Sequence, residues 1–317
     1  MNILITGVHG FVGTNLSKSL SKDHCILGLD IVSKVQECIR QTYTWQELEK
    51  EALPDSDVII HLAGKAHDTK SQSEASVYFE INTELTKKIY NYFLKSTATK
   101  FIYFSSVKAA ADSVVGETLT EDIIPNPKGP YGASKIAAEN YILANLPNTS
   151  EKSVFIVRPC MIHGPGNKGN LNLLYQMVRK GFPWPLGAFE NRRSFTSIDN
   201  LCFVIDQLIL KDVPSGIYNV GDDEALSTNE LIGLMCQSMG KKSHIWKIDR
   251  RFMEECARLG TWMHFPLNSE RLKNLTENYV VSNEKLKKAL QIEKMPITAI
   301  VGFEKTFGSF QFKGKNV

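Results

Sequence analysis

The sequence predicts an α/β protein, a doubly wound parallel sheet with a smaller C-terminal lobe woven onto it. Three observations predict it. Short continuous apolar runs alternate with segments of helical periodicity. A glycine turn, Gly7-Val-His-Gly10-Phe-Val-Gly13, directly follows the first apolar run and opens a helical segment. After Pro159 the texture changes, with dense Pro and Gly in Gly164-Pro-Gly166, Gly181-Phe-Pro-Trp-Pro185 and Gly187.

Asn2–Thr6 reads as a strand buried on both faces, because its apolar run does not alternate. Phe11 to Lys22 has helical spacing, with Phe11, Leu16 and Leu20 on one side. Cys25–Asp30 is the second strand. The stretch from Val32 to Ser56 carries weak signals, a short strand near Tyr43 and a short helix around Trp45–Lys50. Val58–Ala63, Phe101–Ser105 and Val154–Arg158 read as strands, and Tyr78–Leu94 and Tyr131–Leu146 as the helices between them. Beyond Pro159, Arg192 to Asp199 reads as a strand leading to a helix capped by Asp199. Gly216–Gly221 reads as a strand that returns to the main sheet. Helices are expected at Thr228–Met239, Asp249–Leu259, Ser282–Leu290 and Ile297–Phe307. Residues 1–159 thus form the expected cofactor-type unit and residues 160–317 the smaller lobe, apart from the strand near 216–221.

At 317 residues and 43% hydrophobic, the chain can bury a substantial core. Its net charge is +3 and its Lys and Arg are dispersed, which argues against a nucleic-acid partner. Six Cys without metal-type spacing read as reduced thiols of a cytoplasmic protein. His67, His163 and His244 show no metal spacing either, and no metal is expected. The first residues read as strand and turn, not as a signal peptide, and no apolar run is long enough for membrane insertion.

The glycine turn has the form that cradles a dinucleotide. Gly7 permits the tight turn, Gly10 lets backbone approach a pyrophosphate, and Gly13 lets helix and strand pack closely. The amides of Phe11, Val12 and Gly13 then face the phosphates at a helix N-terminus. Asp30, ending the second strand, can accept hydrogen bonds from the adenosine ribose and would repel a 2′-phosphate. NAD(H) is therefore favoured over NADP(H), with Lys34 and Arg40 the cations able to reverse that preference. Leu62, Ala63 and Gly64 are small enough at a strand end for adenosine to lie close, while His61 reads as a packed strand histidine. Tyr131 and Lys135 stand four residues apart on one helix face. A cationic Lys beside a Tyr lowers the phenol pKa, and such a Tyr can exchange a proton with a hydroxyl or ketone.

The combination of GxxGxxG at the N-terminus, Asp30, His61-Leu-Ala-Gly64, Asn82, Ser105-Ser106, YxxxK and Arg158-Pro159 resembles the extended short-chain dehydrogenase/reductase family over essentially the whole chain. The resemblance implies a Rossmann domain for NAD(P) and a smaller lobe for a nucleotide sugar. It implies that Ser106 positions the reacting oxygen, with Ser105 as the alternative. Tyr131 would be the general acid/base, and Lys135 would hold the nicotinamide ribose. Pro159 would pack on the nicotinamide. Arg192, seven residues before Asp199, would bind the substrate diphosphate, with Arg193 able to share or take that role. Asn82, at the start of a helix on the substrate side, can hold backbone or water near the site if buried, and Asn170 would touch the sugar nucleotide. A homodimer through Tyr78–Leu94 and Tyr131–Leu146 is the family's common assembly.

Departures narrow the activity. The related 4,6-dehydratases carry an Asp-Glu pair after the catalytic Ser/Thr, and here those positions are Val107 and Lys108, which disfavours dehydration. Lys108 itself reads as a solvated loop charge. The expected activity is NAD(P)-dependent oxidoreduction at carbon 4 of a nucleotide sugar. The leading expectation is reduction of a UDP-4-keto-6-deoxy-N-acetylhexosamine for surface polysaccharide. A UDP-hexose or UDP-N-acetylhexosamine 4-epimerase is the alternative, and a non-catalytic dinucleotide sensor ranks below both, because this chain keeps both Tyr131 and Lys135.

Overall fold

A computed structural model describes residues 1–65, 74–114, 116–167, 169–263 and 268–312. His67 lies outside them. The first strand, β1 (Asn2–Thr6), leads through the glycine turn into α1 (Phe11–Leu20). Then follow β2 (Cys25–Leu29), β3 (Gln41–Tyr43), α2 (Trp45–Glu49) and β4 (Val58–His61). Next, α3 (Ala75–Phe79) runs through a π-helical turn, Glu80–Glu84, into α4 (Leu85–Lys95). β5 (Lys100–Phe104), the short α5 (Val107–Ala110), α6 (Pro130–Ala144) and β6 (Ser153–Pro159) complete this half.

The later chain holds β7 (Met161–His163), α7 (Asn170–Arg179), β8 (Phe195–Ser197), α8 (Ile198–Leu210) and β9 (Gly216–Val220). α9 (Thr228–Ser238), α10 (Arg250–Met263), α11 (Ser269–Thr276), α12 (Glu284–Leu290) and α13 (Ala299–Phe312) follow.

Among the described residues, seven strands form one parallel sheet in the order β3-β2-β1-β4-β5-β6-β9. Alternate strand residues feed two cores. Ile3, Ile5, Val58, Ile60, Ile102, Phe155 and Val157 pack with α1 and α8 on one face. Leu4, Ile59, Phe101, Tyr103, Val154 and Ile156 pack with α4 and α6 on the other. Burial on both faces explains why these strands read as unbroken apolar runs. A third core, built around Tyr175, Trp184, Met235, Phe303 and Phe307, belongs to the lobe. The strand expected near 216–221 joins the sheet beside β6, with Pro159 opposite Val220.

Several features differ from the sequence reading. α8 is capped by Ser197, whose hydroxyl accepts from the Asn200 amide, and not by Asp199. Asp199 sits in the first turn and pairs with Lys305 at 2.7 Å. The short α5, β7, α7 and α11 have no counterpart in the sequence pattern; α7 follows a Gly- and Asn-rich stretch that lacks a side-chain cap. Among the described residues no helix is long and apolar enough to cross a membrane.

Candidate active site

The strand order reverses between β1 and β4, and that switch point opens a crevice at the carboxyl edge of the sheet. The glycine turn, Asp30, Leu62–Gly64, Ser105–Ser106 and Pro159 all stand on that edge, at the ends of β1, β2, β4, β5 and β6. Gly7 has φ +67°, and a Cβ there would lie 2.9 Å from the Ala63 backbone. A Cβ on Gly13 would lie 2.4 Å from the Gly7 carbonyl oxygen. Both positions therefore require glycine, one for conformation and one for contact. Gly10 caps α1 without a side-chain bond, and no acidic residue occupies the first turn. The amides of Phe11, Val12 and Gly13 stay available to an anion.

Asp30 is fixed by backbone. Its Oδ2 accepts from the His9 amide at 3.0 Å and its Oδ1 from the Ile31 amide at 2.7 Å. Its carboxylate is partly exposed at the strand end, where a ribose diol can reach it. Arg40 does not approach Asp30: its guanidinium reaches Cys25, at the opposite end of β2. Lys34 is nearer, its amide donating to His9 Nε2 at 3.3 Å beside Asp30.

His61 is buried and neutral. Burial, reinforced by the charge of Lys135, pushes its pKa down to about 3. Thr86 donates its hydroxyl to the Asn82 carbonyl, so it accepts from His61 Nε2. His61 Nδ1 then accepts from Thr6, whose oxygen in turn receives the Ala63 amide. The chain of bonds locks the ends of β1 and β4 together. Asn82, in the π-helical turn, is fully buried; its Oδ1 accepts from the Lys65 amide at 2.7 Å and its Nδ2 donates to Ser134 Oγ at 2.9 Å. Asn82 thus holds the Lys65 backbone beside the site, as a buried Asn at that position can. A π-helical turn is a common way to re-aim side chains beside a site.

The catalytic candidates converge between α5, α6 and the end of β5. Ser105 donates to the buried carboxylate of Glu139. That engagement leaves Ser106 as the hydroxyl facing Tyr131, to which it hydrogen-bonds. Tyr78 meets the Tyr131 ring edge-on, with centroids 6.3 Å apart. Lys135 Nζ donates to the Phe104 carbonyl at 2.8 Å. Burial lowers the Lys135 pKa to about 8, and Glu139, one turn further along α6, opposes that shift. The Tyr131 phenol does not have the lowered pKa expected from its Lys neighbour. Burial raises it, the Ser106 hydrogen bond works against that rise, and Tyr78 adds to it. The physical reason is desolvation, while the Lys135 ammonium is engaged with the Phe104 carbonyl.

Glu139 was missed from the sequence. It binds Arg158 through Nε at 3.0 and 3.2 Å, and both residues are essentially unexposed. The pair ties α6 to β6 directly behind Ser105. Its only sequence signal is an acidic residue four after Lys135.

On the substrate side, Lys108 is not a solvated loop charge. α5 turns it inward, where Nζ donates to the Asp112 carbonyl at 2.7 Å and lies 4.4 Å from the centre of the Tyr279 ring. Burial lowers its pKa. Arg193 is half-buried near the same groups and donates to the Asn274 carbonyl. Arg192 is exposed. Successive side chains of this extended segment point to opposite faces, and burial and the Asn274 carbonyl place Arg193, not Arg192, on the inner one. Asn170 is exposed at the first residue of α7. Among the described residues no cluster of His, Cys, Asp or Glu could hold a metal ion.

Residues 3–221 match the family described as the NAD dependent epimerase/dehydratase family. The chain belongs to that family. Its members are NAD-dependent enzymes of the extended short-chain dehydrogenase/reductase type. The chain is 32% identical over 260 residues to a UDP-glucose 4-epimerase of Vibrio cholerae, covering 78% of each protein. It is 30% identical over 251 residues to the N-acetyl-α-D-glucosaminyl-diphospho-ditrans,octacis-undecaprenol 4-epimerase of Escherichia coli O157:H7, covering 76% of this chain and 73% of that protein. The fold matches the UDP-glucuronic acid 4-epimerase of Bacillus cereus solved with NAD, at TM-score 0.75 and 20% identity over 98% of this chain and 99% of that one.

Proposed function

We propose that this enzyme is a 4-epimerase of a hexose or N-acetylhexosamine carried on UDP. The observation that carries the reading is the Ser106–Tyr131–Lys135 arrangement at the carboxyl edge, with no acid–base pair after Ser106. Bound NAD supplies the two-electron acceptor and donor for carbon 4. Tyr131 takes the proton of the 4-hydroxyl and later returns it. Ser106 holds the same oxygen, and the Lys135 ammonium favours the ionised phenol. Gly7, Gly10 and the amides of Phe11 to Gly13 hold the pyrophosphate of the cofactor, and Asp30 its ribose. Arg193, with Lys108 beside it, offers positive charge to the substrate diphosphate. Val107 is apolar and Lys108 is tied to Asp112 and Tyr279, so neither supplies the acid and base needed to expel a hydroxyl.

The reduction of a 4-keto sugar that leads the sequence reading uses the same three residues in one direction only. Two relatives named as 4-epimerases, at 32% and 30% identity, support placing epimerisation first. The second of them motivates one further reading, in which the diphosphate carrier is a polyprenol instead of uridine.

The test is incubation of the purified enzyme with UDP-N-acetylglucosamine or UDP-glucose and NAD, with products resolved by NMR. Appearance of the 4-epimer without net consumption of NADH is the expected result. Stoichiometric oxidation of NADH by a UDP-4-keto sugar, with no epimer formed from either UDP-sugar, would return the assignment to a reductase. Tight NAD binding without turnover of any diphosphate sugar would favour the sensor.

A further inference from the structure

The glycine turn carries one side chain that its anion-binding role does not use. His9 stands between Gly7 and Gly10, and its main-chain amide donates to Asp30 Oδ2 at 3.0 Å. Its ring reaches past Asp30 to the segment that follows. A main-chain N–H can only donate, so Nε2 accepts from the Lys34 amide at 3.3 Å. Nδ1 lies 3.1 Å from the Gln36 side-chain amide, and Thr42 Oγ1 on β3 lies 3.3 Å from Nε2. One side chain thus joins the turn, the middle of the loop after β2, and β3. That loop has no apolar anchor of its own, since none of residues 31–38 is buried. Its start is held by Asp30 Oδ1, which accepts from the amides of Ile31 at 2.7 Å and Val32 at 3.4 Å. Its end is held by buried Ile39 and by the Arg40 amide, which donates to the Ile26 carbonyl at 2.8 Å. Between those two ends, His9 receives Lys34 and Gln36.

We propose that His9 is a specificity-determining residue for the cofactor, which disfavours NADP by locking the loop beside the ribose that Asp30 holds. A 2′-phosphate projects beyond the 2′-hydroxyl, so it meets Asp30 and the residues that follow β2. The Asp30 carboxylate repels it. To be accepted, the phosphate needs the loop to draw back and a cation to turn toward it. Lys34, exposed in the middle of the loop, is the cation placed to do so. His9 holds the Lys34 backbone where it is. Asp30 therefore repels the phosphate, and His9 blocks the rearrangement that would offset the repulsion. The inference rests on Asp30 holding the cofactor ribose, and it is independent of which sugar is turned over.

The experiment is fluorescence titration of the intact protein with NADH and with NADPH. It compares wild type, Asp30→Asn, His9→Ala, Gln36→Ala, and His9→Ala combined with Lys34→Gln. Wild type should prefer NADH, and Asp30→Asn should weaken NADH binding. An Asp30→Asn variant that binds NADH as wild type does would remove the ribose reading, and the proposal with it. With that reading intact, His9→Ala should narrow the preference for NADH over NADPH about tenfold, the scale of one or two lost hydrogen bonds. Gln36→Ala leaves the glycine turn untouched and should move the ratio in the same direction; it carries the test if His9→Ala does not fold. Adding Lys34→Gln to His9→Ala should restore the preference. The proposal is overturned if the ratio stays at its wild-type value in the folded loop-release variants. It is equally overturned if they weaken both cofactors by the same factor, as a merely structural histidine would, or if the gain in NADPH binding survives Lys34→Gln.

Discussion

Burial raises the Tyr131 phenol above its ordinary value, so its ionisation must be assisted before it can take the proton of the 4-hydroxyl. Tyr131→Phe should lower turnover about 10²- to 10⁴-fold while NAD still binds, as read by steady-state kinetics and fluorescence; full turnover by this variant would remove the catalytic reading. Glu139 acts on that help through Lys135. It raises the Lys135 pKa against burial, so its removal must lower it further. Glu139→Gln should therefore shift the alkaline fall in kcat/KM to lower pH, a change that a loss of packing alone would not produce. Some loss of stability will accompany it, since Arg158 would lose its buried counter-charge. His61 makes a separate thermodynamic prediction. Its folded pKa of about 3 lies below the unfolded value of 6.5, so the unfolded chain takes up a proton first as pH falls. The stability associated with neutral His61 is complete above pH 6.5 and is lost on acidification by about 1 kcal/mol per pH unit toward the folded pKa. Denaturant unfolding at pH 7 and 5 should show this slope in the wild-type protein and a flatter one in His61→Asn.

At the scale of elements, α1 depends on its approach to β1. Gly13→Ala would place a Cβ 2.4 Å from the Gly7 carbonyl oxygen, so helix and turn must separate. NAD binding should weaken by an order of magnitude or more, about 1–3 kcal/mol, measured by calorimetry. α6 carries Tyr131, Lys135 and Glu139 at four-residue intervals, which lines all three along one side of the helix. The first two were legible in the sequence because a Tyr and a Lys at that spacing imply a shared task. Glu139 was not, because an acidic residue on a helix ordinarily faces water. Only the position of Arg158 on the neighbouring strand shows that this one does not. Arg192 and Arg193 show a similar limit. Their order in the chain cannot say which turns inward; the burial of Arg193 and its bond to the Asn274 carbonyl decide it. Lys108 was misread for the same reason, since the Tyr279 ring that receives it comes from a distant part of the chain.

At the scale of the whole molecule, the sheet borrows its last strand from the later half. β9 pairs along β6, and Ile198, Leu201, Val204, Val220 and Leu286 complete the core on the α1 face. A fragment ending near Pro159 would expose that apolar surface together with an open strand edge. It should express as aggregate or show non-cooperative unfolding, whereas the full chain should unfold cooperatively by circular dichroism. A soluble, cooperatively folded fragment would contradict this account.

The sequence by itself determined the strand–turn–helix at the N-terminus, the alternation that builds a parallel sheet, and the Ser, Tyr and Lys candidates. These are local signals: apolar runs, glycine spacing, and side chains four residues apart on one helix. Tertiary structure decided which serine faces Tyr131, which arginine faces inward, and that Tyr131 is raised and not lowered. Each of those depends on what a side chain meets from another element. Desolvation and hydrogen-bond competition are set by that meeting, and no local pattern encodes them.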